Sequence, residues 1–251
     1  MSESDFLAAG FSDFYYSNLK YVAHDEEAHV ELLTSALSAA GVTPVIACEY
    51  SFPFTDPSSF VTLASILEGV GSAAYLGAAP SISNKAYLSV AGAILDTEAL
   101  HASLQRFAIG EVAPAHPYGS AIIPNAAYTL AAAFITSCPS SNPALPFSAF
   151  PALTVTQGLP TSPGLSFTFT SSPLPTGTFY VTFVNGLTTV SMAASVQGGM
   201  IVTMVPEDVS GQTYAFVTNA NVTAVTDAVV LFGPAILEVT PPSPTFDLTI
   251  M

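Results

Sequence analysis

Two Glu-x-x-His pairs, Glu26 with His29 and Glu98 with His101, lie within stretches of helical spacing. Residues three apart lie on the same face of a helix, so each pair can direct a carboxylate and an imidazole toward one point. A third, apolar stretch between the pairs carries Glu68. Helical bundles with carboxylate-bridged di-iron or di-manganese sites use two Glu-x-x-His pairs and single glutamates from two further helices. The sequence therefore predicts that these five side chains converge as metal ligands in a bundle core.

The argument for a metal is strongest at Glu68 and Glu98, because their neighbours are apolar. A buried carboxylate without a basic partner is protonated, hydrogen-bonded or bound to a metal. Basic partners are scarce, since the chain has 3 lysine and arginine residues against 18 acidic ones. Carboxylate oxygens with imidazole nitrogens suit iron, manganese or zinc. Glu26 and His29 lie in an acidic run, and a solvated helix face remains the alternative there.

The formal net charge of −15 excludes partners that need a basic surface. Three scattered cations cannot form a patch for nucleic acid or for an anionic membrane surface. The sequence contains no uninterrupted apolar run of about twenty residues, the length that a membrane-spanning helix needs. The first residues do not resemble a signal peptide, although few charges, abundant Ser, Thr, Pro and Gly, and a glycosylation sequon at Asn221 favour an extracellular protein. A leader would then have been removed by processing or be missing from an incomplete sequence.

The helical pattern extends from Ser12 to about Cys138, and a stretch rich in proline and serine follows it. N-cap residues, an early proline and C-terminal glycines mark the helix ends. The predicted helices run from near Asp13 to Ala40, from Pro57 to about Ala78, from near Asn84 to Gly110, and from Asn125 to Ser137.

Short β-branched and aromatic runs begin after Pro163, separated by turn residues at the spacing of a sandwich. The predicted strands are Leu165–Thr170, Phe179–Val184, Met200–Val205, Thr213–Thr218, Val229–Phe232 and Ile236–Val239. The fold class is thus α+β and multidomain. A helical domain, residues 1–153, precedes an all-β sandwich domain, residues 154–251.

The bundle lacks one helix in this interpretation. A complete carboxylate-bridged site needs one more glutamate, but the acids before Asp13 are Glu3 and Asp5, and Ala8-Ala9-Gly10 would end a helix. An incomplete bundle leaves an apolar groove. We therefore expect a homo-oligomer, a rearranged N-terminus or another partner to cover that groove.

Three segments, Asp25–Leu37, Leu67–Ala79 and Ile94–His101, resemble the fungal ferritin-like domain proteins. This family includes late-sexual-development and stress-response proteins and is similar to plant desiccation-related proteins. The resemblance covers about Asp5 to Leu153. The family's first helix usually carries a Leu-Glu-x-Leu-Glu motif, which has no match here.

The resemblance implies metal-ligand roles for Glu26, His29, Glu68, Glu98 and His101. It also implies a disulfide between Cys48 and Cys138 and a secreted, developmentally regulated protein. Without the first helix, five ligands would hold one metal ion, or two imperfectly.

Two functions follow from these observations. The first is a secreted ferritin-like protein that binds iron or manganese, with zinc less favoured, in stress or development. The alternative is a structural cell-wall or surface protein that self-associates and keeps a vestigial metal site. In the alternative, the β domain would make the contacts, since much of it belongs to the uncharged stretch 112–206. Neither a nucleophile elbow nor a phosphate-binding loop supports hydrolase or nucleotide chemistry.

Overall fold

The computed structural model describes residues 1–245, and its helices occupy the first half of the chain. They are α1 Glu3–Ala8, α2 Asp13–Ala39, α3 Pro57–Ala78, α4 Lys85–Ala108 and α5 Pro124–Ala132, with a single 3-10 turn at Ala79–Ser81. The starts of α2, α3 and α4 lie within one residue of their predicted positions. The short α1 was not predicted as a helix, and it ends at Ala8 just before Gly10, as the sequence suggested.

Side-chain caps explain why these helix starts could be predicted. The Ser12 hydroxyl accepts from the Tyr15 amide at 3.0 Å, and the Asp56 carboxylate accepts from the Ser59 amide at 2.8 Å, just before a first-turn proline. The Asn84 side chain accepts from the Ala86 amide at 2.9 Å. Each cap satisfies an amide that has no partner within its helix.

A two-stranded antiparallel ribbon joins the helical connections. Strand β1, Glu49–Tyr50, pairs with β2, Ile135–Ser137. The prediction of a helix up to Ser137 was therefore wrong at its C-terminal end, because β-branched Ile135 and Thr136 pair with a strand instead. The Cys48–Cys138 disulfide flanks the ribbon, and the expected pairing is confirmed.

The second half of the chain forms two four-stranded antiparallel sheets. Their strands are β3 Thr154–Val155, β4 Ser166–Thr170, β5 Tyr180–Asn185, β6 Thr188–Ala193, β7 Ser195–Gln197, β8 Met200–Met204, β9 Gly211–Thr218 and β10 Val230–Val239. The strand orders are β10-β9-β5-β6 and β3-β4-β8-β7. The fold class, helices followed by antiparallel sheets, is confirmed. The boundary at residues 153 and 154 stays a prediction, and the last part of the second domain, residues 246–251, lies outside the described residues.

The two sheets enclose an apolar core that contains Phe167, Phe183, Ile201 and Leu237. The helices pack on the outer face of the sheet that contains β9. Val70 of α3 and Ala126 of α5 meet Tyr214 and Phe216 of β9 there. Strand β9 is consequently buried on both faces, which accounts for the apolar run at residues 214–217 in its middle.

A buried ion pair also connects α4 to the sandwich. The Arg106 guanidinium donates to both carboxylate oxygens of Glu238, on β10, at 2.7 and 2.6 Å. It further donates to the Val112 carbonyl at 3.2 and 3.1 Å and lies 3.3 Å from Glu111. One of the chain's few cations is thus used to attach the helices to the β sheet.

Within the described residues, one helical segment, Pro57–Ser81, is long and apolar enough by length and composition to cross a membrane. It consists of α3 and the 3-10 turn, and it carries Glu68 at its centre. It packs against α4 and the β sheet, and core helices of soluble proteins meet the same two criteria.

Candidate metal centre

The five predicted ligands meet where α2, α3 and α4 face one another. Glu26 and His29 come from α2, Glu68 from α3, and Glu98 and His101 from α4. We call these five residues the carboxylate–histidine cluster. Their side chains form two groups of three, and within each group the potential ligand atoms all lie within 4.8 Å of one another. Glu26 belongs to both groups.

The first group consists of Glu26, Glu68 and His101. His101 Nδ1 lies 3.1 Å from Glu26 Oε1 and 3.4 Å from Glu68 Oε2. The other ring nitrogen, Nε2, lies 3.3 Å from an oxygen of Asp25. A neutral imidazole carries one N–H and can donate to one carboxylate only. Contact with carboxylates on both sides therefore calls for a second proton or for a cation between the atoms.

The second group consists of Glu26, His29 and Glu98. His29 Nδ1 lies 3.5 Å from an oxygen of each glutamate. Neither contact has hydrogen-bond geometry, so this buried nitrogen lacks a hydrogen-bond partner among residues 1–245. A nitrogen between two carboxylates without a hydrogen bond is the arrangement expected of ligands around a cation.

Asp25 is the site residue that sequence reasoning missed. It is followed by His29 at a helical spacing of four, which was a usable signal, but its contact is with His101 on a different helix. Such a contact depends on how α2 and α4 cross, and residue spacing within one helix does not report that.

Burial changes the acid–base behaviour of two glutamates. Burial, followed by the nearby charges of Glu26 and Glu98, raises the pKa of Glu68 to about 8. Burial also raises the pKa of Glu98 to about 7, with Glu26 contributing. Without a cation, these two carboxyl groups hold protons near neutral pH, because ionising both would place uncompensated negative charges in the protein interior.

Gly71 makes room for Glu98 on the surface of α3. A Cβ atom at residue 71 would stand 2.1 Å from Glu98 Oε2. The Glu98 carboxylate therefore lies directly against the α3 backbone, one turn beyond Glu68. Any larger residue at position 71 would displace it from His29.

Two tyrosines, half-buried Tyr75 and buried Tyr15, border the cluster along the bundle. Burial and the charges of Glu98 and Glu26 raise the pKa of Tyr75 to about 12. At the other end, the Tyr15 hydroxyl donates to the Gln105 side-chain oxygen, and burial, followed by the charge of Glu68, raises the Tyr15 pKa. Both phenols stay neutral at physiological pH and present O–H groups rather than charges beside the cluster.

The donor set fits a transition metal. It offers hard carboxylate oxygens and borderline imidazole nitrogens, and it has no lysine or arginine in contact to neutralise the acids. The unpartnered His29 Nδ1 and the space that Gly71 leaves for Glu98 are the structural observations that support this fit.

Several other titratable side chains lie outside the two groups of three. Glu27, Glu31 and Asp96 are exposed on α2 and α4, as charged side chains usually are. The His24 side chain is also exposed, and His116 packs beside Tyr118 in the loop before α5. Asn221 is exposed between β9 and β10, and its glycosylation stays a prediction.

One side of the cluster is open to solvent. The side chain of Glu98 is 8% exposed, whereas that of Glu26 is 42% exposed. Beyond Glu26 on the same face of α2, Val30, Leu33 and Leu37 are also exposed. Within residues 1–245, no fourth long helix covers this side, because α1 spans only 6 residues and the 9-residue α5 packs on α3.

Residues 1–111 match the family model of the ferritin-like domain. The match covers less than half of the chain, and we call the matched region the ferritin-like domain. The match ends just after α4, so the domain contains every member of the carboxylate–histidine cluster. The chain is also similar to Protein rds1 of Schizosaccharomyces pombe (strain 972 / ATCC 24843), with 28% identity over 178 residues. The aligned region is 69% of this chain and 41% of rds1, so the chain spans less than half the length of this relative.

Proposed function

We propose that the ferritin-like domain binds iron or manganese through Glu26, His29, Glu68, Glu98 and His101. The supporting observation is the pair of three-residue groups that share Glu26, with the His29 Nδ1 atom left without a hydrogen bond. Glu26 would contribute to both positions, and each histidine would serve one. When bound, such ions supply one-electron redox chemistry and act on reduced oxygen species or on dioxygen.

The surrounding residues would set how easily the ions enter and leave. Glu68 and Glu98 must lose protons before they can act as ligands, and their raised pKa values predict that affinity increases as the pH rises through about 7 to 8. Asp25, beside His101 Nε2, would hold the ring orientation of that ligand. The exposed edge at Glu26 gives ions a route from solvent.

The test is a titration of chelator-treated protein with Fe²⁺ under anaerobic conditions and, separately, with Mn²⁺, followed by elemental analysis after gel filtration. We expect near-stoichiometric metal in the unmodified chain. Glu26→Ala should lower the bound metal more than His29→Ala, because Glu26 alone serves both groups.

Glu27→Ala provides a matched control, since it removes the same charge from the adjacent, exposed position of α2. It should leave the bound metal unchanged. Failure to load iron, manganese or zinc after reconstitution, or an equal loss in Glu27→Ala and Glu26→Ala, would rule out the proposed site.

The proposed setting is extracellular or at the cell wall, with a role in stress or development. The Cys48–Cys138 disulfide supports an oxidising compartment, and the role rests on the resemblance to fungal late-sexual-development and stress-response proteins. Fractionation of the source cells tests the setting. Recovery of the native protein with both cysteines reduced, in the cytosolic fraction only, would contradict it.

A second function, self-association as a surface or wall protein, is favoured by the exposed apolar residues Val30, Leu33 and Leu37 on α2. Sedimentation velocity of the chain should then show a concentration-dependent oligomer that dissociates in a Val30→Glu, Leu33→Glu variant. A monomer at all concentrations, together with no retention on isolated wall polysaccharide, would exclude this function.

A further inference from the structure

An apolar pocket of about 180 Å³ lies beside the carboxylate–histidine cluster. Phe52 and Phe54, from the segment after β1, and Phe60, from the first turns of α3, form its aromatic side. Glu68 is the one lining residue with a polar side chain. We call this space the phenylalanine pocket. It adjoins the cluster because Glu68 belongs to both.

The α3 side of the pocket follows one helical face. Leu63, Ala64 and Leu67 line it together with Phe60 and Glu68. These positions are spaced by three, four, seven and eight residues from Phe60, so they form a continuous apolar stripe that ends at the Glu68 side chain. A molecule in the pocket would therefore lie along α3 with one end directed toward the cluster.

The aromatic side is held in place by neighbouring structure. Phe52 packs on Phe134 with ring centroids 5.2 Å apart, and Phe54 meets Phe60 edge-on at 5.2 Å. The Ser51 amide donates to the Phe134 carbonyl at 2.8 Å, and the Cys48–Cys138 disulfide closes the adjoining ribbon. The pocket thus has a supported wall on its loop side, unlike a gap between unrestrained side chains.

Size and charge restrict the ligand. An apolar cavity of about 150 Å³ is large enough to hold benzene, and three phenylalanine rings favour edge-on or offset contact with another ring. No cation lines the pocket, Glu68 is acidic, and the whole chain carries a net charge of −15. An anionic ligand would find no counter-charge and a repulsive field.

We propose that the phenylalanine pocket binds a small uncharged aromatic or alkyl molecule and places it against Glu68. Its role as the substrate position of the metal centre rests on the proposed function, but the binding itself needs no metal. The pocket would select ligands that fit its shape and carry no charge. Glu68 would lie between the bound molecule and the other members of its group, Glu26 and His101.

The experiment titrates metal-free protein with benzene and with benzoate, which have the same ring but differ in charge. Binding is measured by calorimetry and by the methyl resonances of Leu63 and Leu67. We expect benzene to saturate one site, to shift both leucine resonances, and to bind at least about tenfold more tightly than benzoate. Equal affinity for the two probes, or leucine resonances that do not move, would overturn the proposal.

Ala64→Leu should fill the pocket and weaken benzene binding at least about tenfold. Ala86→Leu makes the same change at an exposed position of α4 and should have no effect. If Ala64→Leu fails to fold, Leu67→Ala serves instead, since the enlarged pocket should gain affinity for naphthalene. Equal weakening of benzene binding in Ala64→Leu and Ala86→Leu, or no gain for naphthalene in Leu67→Ala, counts against the pocket.

The two proposals fail separately. The Glu26→Ala variant should not load metal. If it still binds benzene, the pocket binds its ligand without the metal centre, as proposed. Metal loading without benzene binding would leave the proposed function intact and remove this inference. A dimer that blocks benzene, and that dissociates in Phe52→Ala, would also overturn the proposal, because a side chain of a second copy would then be the occupant.

Discussion

The two halves of the molecule bury different kinds of side chain. In the β sandwich, Phe167, Phe183 and Ile201 are fully buried in an apolar core. In the ferritin-like domain, α4 buries Glu98, His101, Gln105 and Arg106, and the 27 residues of α2 bury only Tyr15 and Val22. The polar side chains that the sandwich buries are uncharged and can pair by hydrogen bonds, as Thr182 does with Thr218 at 2.7 Å. The ferritin-like domain instead buries ionisable groups, which need charged partners.

This difference separates stability from function. Apolar burial stabilises the sandwich regardless of pH or added ions. Buried carboxyl and imidazole groups make the ferritin-like domain sensitive to protons and cations, because each unpaired polar group costs free energy. The sandwich packs against α3 through β9, so we expect the apolar half to support the half that carries the carboxylate–histidine cluster.

Phe183→Ala should produce the largest effect, since it removes a fully buried ring from the sandwich core. We expect the free energy of unfolding to fall by about 3–5 kcal/mol, measured by chemical denaturation followed by circular dichroism. Phe14→Ala is the matched control on α2, where the ring is 75% exposed, and it should change stability by less than about 0.5 kcal/mol. Equal effects would mean that the two halves do not differ as described.

Arg106→Met should have the next largest effect. It leaves Glu238 without its guanidinium partner at the junction of α4 and β10. We expect a loss of about 2–3 kcal/mol, at the lower end for a broken buried pair because Glu238 keeps some contact with solvent.

Limited proteolysis would show whether the loss separates the halves. Cleavage in the loop after α4 should become faster in Arg106→Met than in Lys20→Met, which removes an exposed cation from α2. If Arg106→Met lowers stability but leaves the cleavage rate unchanged, the loss of stability arises within one half and not at the junction.

The free energy of unfolding of the metal-free protein should fall by about 1–2 kcal/mol as the pH rises, and this change should come from the half that contains the cluster. The figure allows for solvent at the open edge of the cluster. Glu68 and Glu98 have folded pKa values of about 8 and 7, above the usual 4.5. The folded state thus binds more protons, and its stabilisation is fully present below about pH 4.5 and is lost as the pH rises toward 8. Metal-free protein should be more stable near pH 5.5 than near pH 8.5.

Glu68→Gln should flatten this dependence, because the amide keeps the shape of the side chain and does not titrate. Glu27→Gln, at an exposed position of α2, should leave the slope unchanged. Denaturation midpoints at a series of pH values provide the measurement. A metal-free chain that becomes more stable on going from about pH 5.5 to 8.5 would contradict the assigned burial of these carboxyl groups.

The sequence predicted what depends on a single element. Capping residues located α2, α3 and α4, and the spacing of three within each Glu-x-x-His pair placed both side chains on one helical face. β-branched and aromatic runs separated by turn residues located the main strands. The prediction of two strands near residues 229–239 was replaced by the single long β10, because the Gly233-Pro234 interruption is accommodated by an irregular register with β9.

Contacts between elements could not be predicted in the same way. Asp25 reaches His101 across two helices, and Gly71 meets Glu98 through the close approach of α3 and α4. Strand β2 forms because it pairs with Glu49 and Tyr50, which lie far earlier in the chain. β6 was missed although it follows the two-residue turn at Gly186 and Leu187, because Thr188–Ala193 has few large apolar residues.

Gly71→Ala should have the smallest effect on stability and a specific effect on the metal centre. The new methyl group would overlap Glu98 Oε2, so the carboxylate must leave the position in which its Oε1 atom lies 3.5 Å from His29 Nδ1. Alanine favours the helix over glycine by up to about 1 kcal/mol, which offsets part of the local strain. We expect the free energy of unfolding to change by less than about 1 kcal/mol, while metal affinity falls about 10- to 100-fold, as for other changes that misplace a ligand.

Gly92→Ala, on α4, is the matched control because a Cβ there meets no atom within 4 Å. Affinity for Mn²⁺ is measured by calorimetric titration of both variants, and Gly92→Ala should retain full affinity. Equal affinity in the two variants would show that metal binding does not require the Glu98 carboxylate to lie against α3, and the second ligand group would lose its main geometric support.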